Sequence, residues 1–226
     1  VNTAQKRVLF DKVAEHFEIL PDAETALPGA RPLDGVLPAV LATAIVAAGL
    51  VNLGISTGFE RSYGVLKRLG ASPLTRGQLM AGKIGTILVV EALQAVLLIG
   101  LAVGVFGWAP GPGWSPPAVV AAVALGTAVF SALGLLFAGT LRAEATMALT
   151  NALFLLGILL GGLLVPASQL PGILGALASL LPTAALADAL RVSLGASTGD
   201  LLGPLLLLAA WAIGTGLLTA RTFRWE

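Results

Sequence analysis

Charged residues along this 226-residue chain fall in blocks separated by long apolar gaps. Residues 36–58 (VLPAVLATAIVAAGLVNLGISTG) contain no charge. Residues 84–107 contain one, Glu91, and residues 118–139, 147–166 and 201–220 contain none. A helix needs about 20 mostly apolar residues, at about 1.5 Å of rise each, to cross a bilayer. Each gap meets that length, so the pattern predicts five transmembrane helices. None alternates strictly between apolar and polar, which argues against a membrane β-barrel. A sixth stretch, 170–181 (LPGILGALASLL), is too short to cross and is bounded by Pro171 and Pro182. It is followed by TAALADALRVSLG, where Asp188 and Arg191 share one side and Leu186, Leu190 and Leu194 the other. Together they predict a re-entrant or interfacial helical hairpin over 167–200, at the external membrane face. The predicted fold class is an all-α integral membrane protein.

Composition narrows the function. Only 11% of residues are charged, against about 25% in soluble domains, and 57% are hydrophobic, which excludes a free globular protein in water. The formal net charge of +1 argues against a nucleic-acid partner held by bulk charge. With no Cys and a single His, His16, there is no disulfide framework, thiolate metal site or His-cluster zinc site. No catalytic, cofactor-binding or metal-binding residue is assigned.

Lys and Arg set the sidedness. Arg61, Lys67, Arg68, Arg76 and Lys83 lie between the first two predicted spans, Arg142 between the third and fourth, and Arg221 and Arg224 in the tail. Near the opposite span ends there are only Arg31 and Arg191. The positive-inside rule then puts 59–83 and the C-terminus in the cytoplasm. Trp108, Trp114 and Trp225 fall at span ends, as interfacial aromatics do, and Trp211 lies inside the last span. Five spans with a cytoplasmic C-terminus put residues 1–35 outside, although this segment is charged and has no preceding span. Two readings are open: a first span absent from this chain, or a five-span protein with a translocated N-terminal segment.

The segment FERSYGVLKRLGASPLTRGQLMAGK, residues 59–83, carries the strongest signal. Phe59, Tyr63, Leu66 and Leu69 recur at helical spacing, with Glu60, Arg61, Lys67 and Arg68 on the other face. That predicts an amphipathic helix ended by Gly70, with Ser72 and Pro73 starting the next helix. The amphipathic face suits either a lipid surface or a cytoplasmic partner.

This run resembles the first cytoplasmic loop of permeases of the type-2 ABC exporter family, at Glu60, Arg61, Gly64, Leu66, Lys67, Arg68, Leu69, Pro73 and Lys83. The run LRAEATMALTNALFLLGILLGGLLVP (141–166), the hairpin with Pro171 and Pro182, and the closing ARTFRWE are similar to the same family, the last to its drug-export-like branch. The likeness covers residues 33–226. Family members usually have six spans, so the first is the one lacking here. The resemblance implies a permease domain over 36–226 in a bacterial inner membrane, with residues 59–72 as a coupling helix. It implies a separate ATP-binding subunit carrying the ATP and Mg, and a second permease copy or sister subunit. The substrate would be a drug, lipid or glycoconjugate.

Other motifs carry less. Residues 77–83 match the first seven positions of a P-loop, but Ile84 replaces the Mg-binding Ser or Thr and no strand precedes. The G-x-S-x-G at 54–58 lacks a His base. Gly54/Gly58, Gly100/Gly104 and Gly157/Gly161 are G-x-x-x-G pairs, suited to close helix packing or a dimer seam. Glu91 is the one ionisable residue well inside a span, with Gln94 three residues on as an expected hydrogen-bond partner. It suits a structural bond between helices, or a substrate- or proton-carrying role. Asn52 and Asn151 read as interhelical bonds or pathway groups. The alternatives to an ATP-driven exporter are an ion-coupled secondary transporter using Glu91 and a non-transporting membrane assembly factor.

Overall fold

The computed structural model describes residues 32–70, 75–163 and 172–222, and its described secondary structure is entirely helical. Helix α1 (Pro32–Val46) runs through a π-helical segment (Ala47–Asn52) into α2 (Leu53–Ser62). These three pieces form one continuous span of 30 residues, Leu33–Ser62. After a turn comes the short α3 (Val65–Gly70), then α4 (Arg76–Gly104), α5 (Pro116–Thr140) and α6 (Ala143–Leu160). Helices α7 (Gly172–Ser179) and α8 (Pro182–Ser193) meet at 77°, and α9 (Leu202–Thr222) closes the bundle. Among the described residues five helices are long and apolar enough to cross a membrane, and the bent α7–α8 pair has the form of a broken span or a re-entrant loop.

Helix α5 is the axis of the bundle. It packs against the first span, α8 and α9, and 56% of its apolar window is buried, against 17% for both α4 and α9. Its buried face is rich in small residues (Ala118, Ala122, Gly126, Ala132, Gly134, Ala138), which lets other helices come close. The tightest approach is at the π-helical segment. A Cβ on Gly134 would sit 2.5 Å from the Gly49 carbonyl and 3.0 Å from that of Leu50. The segment ends with the Leu53 N–H bonded to the Ala48 carbonyl, five residues back. That extra residue per turn shifts the buried face, so α1 presents Leu37, Leu41, Ile45 and Val46 to the core, and α2 presents Leu53, Gly54, Thr57 and Gly58.

Two span boundaries and the setting of one helix differ from the expected ones. The fourth span stops at Leu160 rather than 166, because Gly161 caps it and Gly162, at φ 73°, turns the chain. The second span begins at Arg76, well before 84. There Thr75 and Gln78 form a capping box, with the Gln78 N–H donating to Thr75 Oγ1 at 3.3 Å and the Thr75 N–H to Gln78 Oε1 at 2.9 Å. Third, the expected helical hairpin is present as the bent α7–α8 pair, but α8 is not a surface helix. It is buried among α1, α5 and α9, with Ala184, Ala185, Ala187 and Ala189 as closely packed as Leu186 and Leu190. Trp108 is corrected with it. This ring is 2% exposed and donates from Nε1 to Asp34 Oδ1 at 2.7 Å, so it belongs to the core rather than the interface. Arg31, Ser72, Pro73, Pro171, Arg224 and Trp225 lie outside the described residues, as do residues 1–31.

The two ends of the bundle differ in charge. One end gathers Arg61, Lys67, Arg68, Lys83, Arg142 and Arg221 with Glu60 and Glu144. The far end, among the described residues, holds Asp34, Asp188 and Asp200 with Arg191.

Candidate functional site

At the basic end the expected continuous helix is a helix–turn–helix. Phe59, Glu60 and Arg61 form the last turn of the first span. Tyr63 N–H bonds back to the Phe59 carbonyl (2.9 Å) and Gly64 N–H to that of Arg61 (3.0 Å). Gly64 then takes φ 73°, a left-handed conformation that glycine adopts at little cost and that ends the helix. The short α3 follows. It is pinned by Leu66, fully buried in a cluster with Leu53, Ile87 and Leu135 from three spans. The Leu69 side chain and Pro73 lie outside the described residues.

The charges around this turn divide into two sets. Glu60 Oε2 accepts from Lys83 Nζ at 2.6 Å, joining the first span to α4. Arg61 Nη1 donates to the Ala138 carbonyl at 2.7 Å, where α5 runs out of intrahelical partners. Those two residues are committed within the chain. Lys67 and Arg68 are exposed, as is Tyr63, whose ring leans on Phe59 at a centroid distance of 6.0 Å.

Inside the membrane region, Glu91 is 2% exposed. Its partner is not Gln94, which is exposed, but Thr127 of α5, whose hydroxyl lies against Glu91 Oε2 and 2.8 Å from the Val123 carbonyl. Glu91 Oε1 has no hydrogen-bond partner among the described residues. It borders a cavity of about 10 Å³, lined also by Gln94, Leu41, Ile45 and Val123, which is roughly the room of one water. Glu91 therefore ties α4 to α5 beside α1. Asn52 and Asn151 do not bond neighbouring helices among the described residues. Asn52 is exposed, and Asn151, also exposed, donates to the Met147 carbonyl of its own helix at 2.9 Å.

A family model for the ABC-2 family transporter proteins matches residues 26–221. The chain belongs to that family. No curated protein and no solved structure matches it.

For an ABC-2 permease domain the weaker motifs resolve plainly. Gly77–Lys83 is helical within α4 and Lys83 is paired with Glu60, so no phosphate-cradling loop exists there. Gly54–Gly58 is likewise helical. Gly54 faces Gly134 and Thr150, and Gly58 faces Ala143 and Thr146, so that pair seats α5 and α6 within the chain. Gly157 and Gly161 face Thr183 of α8, while Gly100 and Gly104 meet nothing. Thr127 was not picked out from sequence. Its one signal is that it and Ser131 are the polar residues of an otherwise apolar α5 interior.

Proposed function

We propose that this ABC-2 permease is the membrane-spanning subunit of an ATP-driven exporter, with a drug, lipid or glycoconjugate as its hydrophobic or amphipathic substrate. Its basic end faces the cytoplasm of a bacterial cell, by the positive-inside rule. A separate ATP-binding subunit docks against Tyr63, Lys67 and Arg68 and carries the ATP and Mg. A second permease copy or sister subunit completes the pathway. The observation that carries this reading is α3, held rigidly by buried Leu66 while its cationic face stays open.

On this reading, closure of the nucleotide-bound partner pushes α3. The push reaches α2 through the Tyr63–Gly64 turn and α4 through the Glu60–Lys83 pair, so the two spans move together. Asn52, exposed and without a side-chain hydrogen bond among the described residues, supports the pathway half of the reading. An amide side chain turned to hydrocarbon without a partner is costly, so exposed intramembrane amides favour a face covered by protein, water or substrate. The ion-coupled alternative rests on Glu91, and its burial against Thr127 favours a structural bond over a pathway role.

Charge reversal tests the docking surface. The Lys67→Glu/Arg68→Glu variant is expected to lose a co-purifying, permease-stimulated ATPase with no change in detergent-solubilised melting temperature. Glu60 is left intact because its reversal would break an internal pair. An ATPase that stays bound and stimulated would overturn the coupling role of α3.

A further inference from the structure

We propose that Glu91 is a neutral carboxylic acid that donates its proton to Thr127, and that its second oxygen shares one ordered water with Gln94. This proton-and-water site ties α4 to α5 and the first span. It stands whether or not the exporter reading holds.

Hydrogen counting carries the first half. Thr127 Oγ1 lies against Glu91 Oε2 and 2.8 Å from the Val123 carbonyl of its own helix. A hydroxyl has one proton to give and lone pairs to accept with, whereas an ionised carboxylate only accepts. With Glu91 ionised, one hydroxyl proton would have to serve both acceptors. With Glu91 neutral the set closes, because its O–H donates to Thr127 and Thr127 donates to Val123. Charge points the same way. The helices packed against α4 are the first span, α5 and, through Leu66, α3. Helix α5 has no charged residue, and those of the other two are Asp34, Glu60, Arg61, Lys67 and Arg68, toward the two ends of the bundle. Arg61 is bonded to the Ala138 carbonyl, and Lys83, on α4 itself, to Glu60. No described cation is left to balance an ionised Glu91, and a buried charge without a counter-ion is costly.

The second half rests on Glu91 Oε1. It is buried without a hydrogen-bond partner among the described residues, beside the cavity of about 10 Å³ that Leu41, Ala44, Ile45, Val123 and Gln94 also line. A threonine hydroxyl in this bundle can turn back to a carbonyl of its own helix, as Thr150 does to Thr146. A carbonyl-type oxygen needs a donor instead, and the N–H groups inside a helix are already spent on it. A water needs about one probe sphere of room and at least two polar partners. The cavity supplies the room, and Oε1 and the Gln94 carboxamide supply the partners.

Infrared spectra of the reconstituted protein at about pH 7.5, where solvated carboxyls are ionised, read the proton directly. A carboxylic-acid C=O band is expected in the parent and absent from Glu91→Gln, which should fold because its amide still donates to Thr127. Thr127→Ser should keep the band, and Thr127→Val should move it to higher frequency as the O–H loses its acceptor. A folded parent without that band, or a band that survives in Glu91→Gln, would overturn the neutral acid.

The water is read from the same band. Gln94→Leu removes its second partner, and Ala44→Val takes up its room. Each should shift the band upward, and Ala44→Val should also lower the detergent melting temperature by leaving Oε1 without a donor. A dry space gives the opposite result, since filling it raises the melting temperature and leaves the band in place. That result would overturn the water, and so would an unmoved band in Gln94→Leu. Gln94 is exposed, so its variant keeps the test open where Ala44→Val does not fold.

Discussion

Helix α6 is held differently at its two ends. At the basic end its first turns lie on the first span backbone to side chain, with Thr150 against Gly54, and Thr146 and Ala143 against Gly58. Thr146 Oγ1 also reaches the Phe137 carbonyl of α5 at 3.2 Å, and Arg61 ties the first span to Ala138 one residue on. At the far end Gly157 and Gly161 meet Thr183 of α8, and the Arg191 guanidinium of α8 donates to the Gly162 carbonyl just beyond the helix end. The difference teaches where such a bundle is rigid. Glycine seams lock helices by removing the space in which they could slide, whereas a cap made of polar groups can be exchanged for water or for a neighbouring carboxylate.

The largest expected effect tests the seam. Gly134→Leu puts a side chain where even a Cβ would meet the Gly49 carbonyl at 2.5 Å. Backbone on both sides leaves no flexible side chain to yield, so the cost should reach or exceed about 3 kcal/mol. Little folded protein is expected by size-exclusion chromatography in detergent. Gly100→Leu, where nothing lies within 4 Å, should fold as well as the parent. Equal behaviour of the two variants would remove the distinction between locked and open helix faces. A Gly100→Leu protein that folds but loses function would mark that face as an interface with another chain.

A smaller effect tests the polar bond inside the membrane. Thr127→Val removes the hydrogen bond to Glu91 and leaves a buried carboxyl without a protein partner. About 1–3 kcal/mol of stability should go with it, read as a drop in the detergent melting temperature. Adding Glu91→Leu should recover most of the loss, since two apolar groups replace a broken polar pair. If the double variant is stable but transport vanishes, Glu91 belongs to the pathway and the structural reading fails.

The unequal legibility of the chain follows the same line. The spans were readable because lipid demands long uncharged runs, and that demand is written in every residue of them. Helix α8 was not readable as buried. Its Asp188/Arg191 side and Leu186/Leu190/Leu194 side look like a surface helix, and the closeness that its alanines permit depends on Gly126 in a distant segment, where a Cβ would press on Leu186 Cδ1 at 2.8 Å. The break at Tyr63–Gly64 was hidden for a different reason. Helical spacing of Phe59, Tyr63 and Leu66 survives a single left-handed glycine, so periodicity could not report it. Glu91 was legible as buried, but its partner was not. Gln94 is close in sequence and borders the same small cavity but makes no bond to Glu91 among the described residues, while Thr127 comes from a helix whose rotation only packing decides.

The smallest expected effect concerns the link between the first span and α4. The Glu60–Lys83 pair spans 2.6 Å, but with side chains 34% and 16% exposed it lies within reach of water. Its coupling energy should be about 1 kcal/mol or less, below the cost of the seam or of the orphaned carboxyl. A double-mutant cycle with Glu60→Gln and Lys83→Met, followed by melting temperature, measures it directly. If the pair serves mainly to make α2 and α4 move as one body, its loss should hardly alter stability yet should reduce transport per ATP hydrolysed. A stability change well above that range would mean the pair is part of the locked region after all, and the boundary between rigid and movable would then fall beyond α4 instead of at the turn.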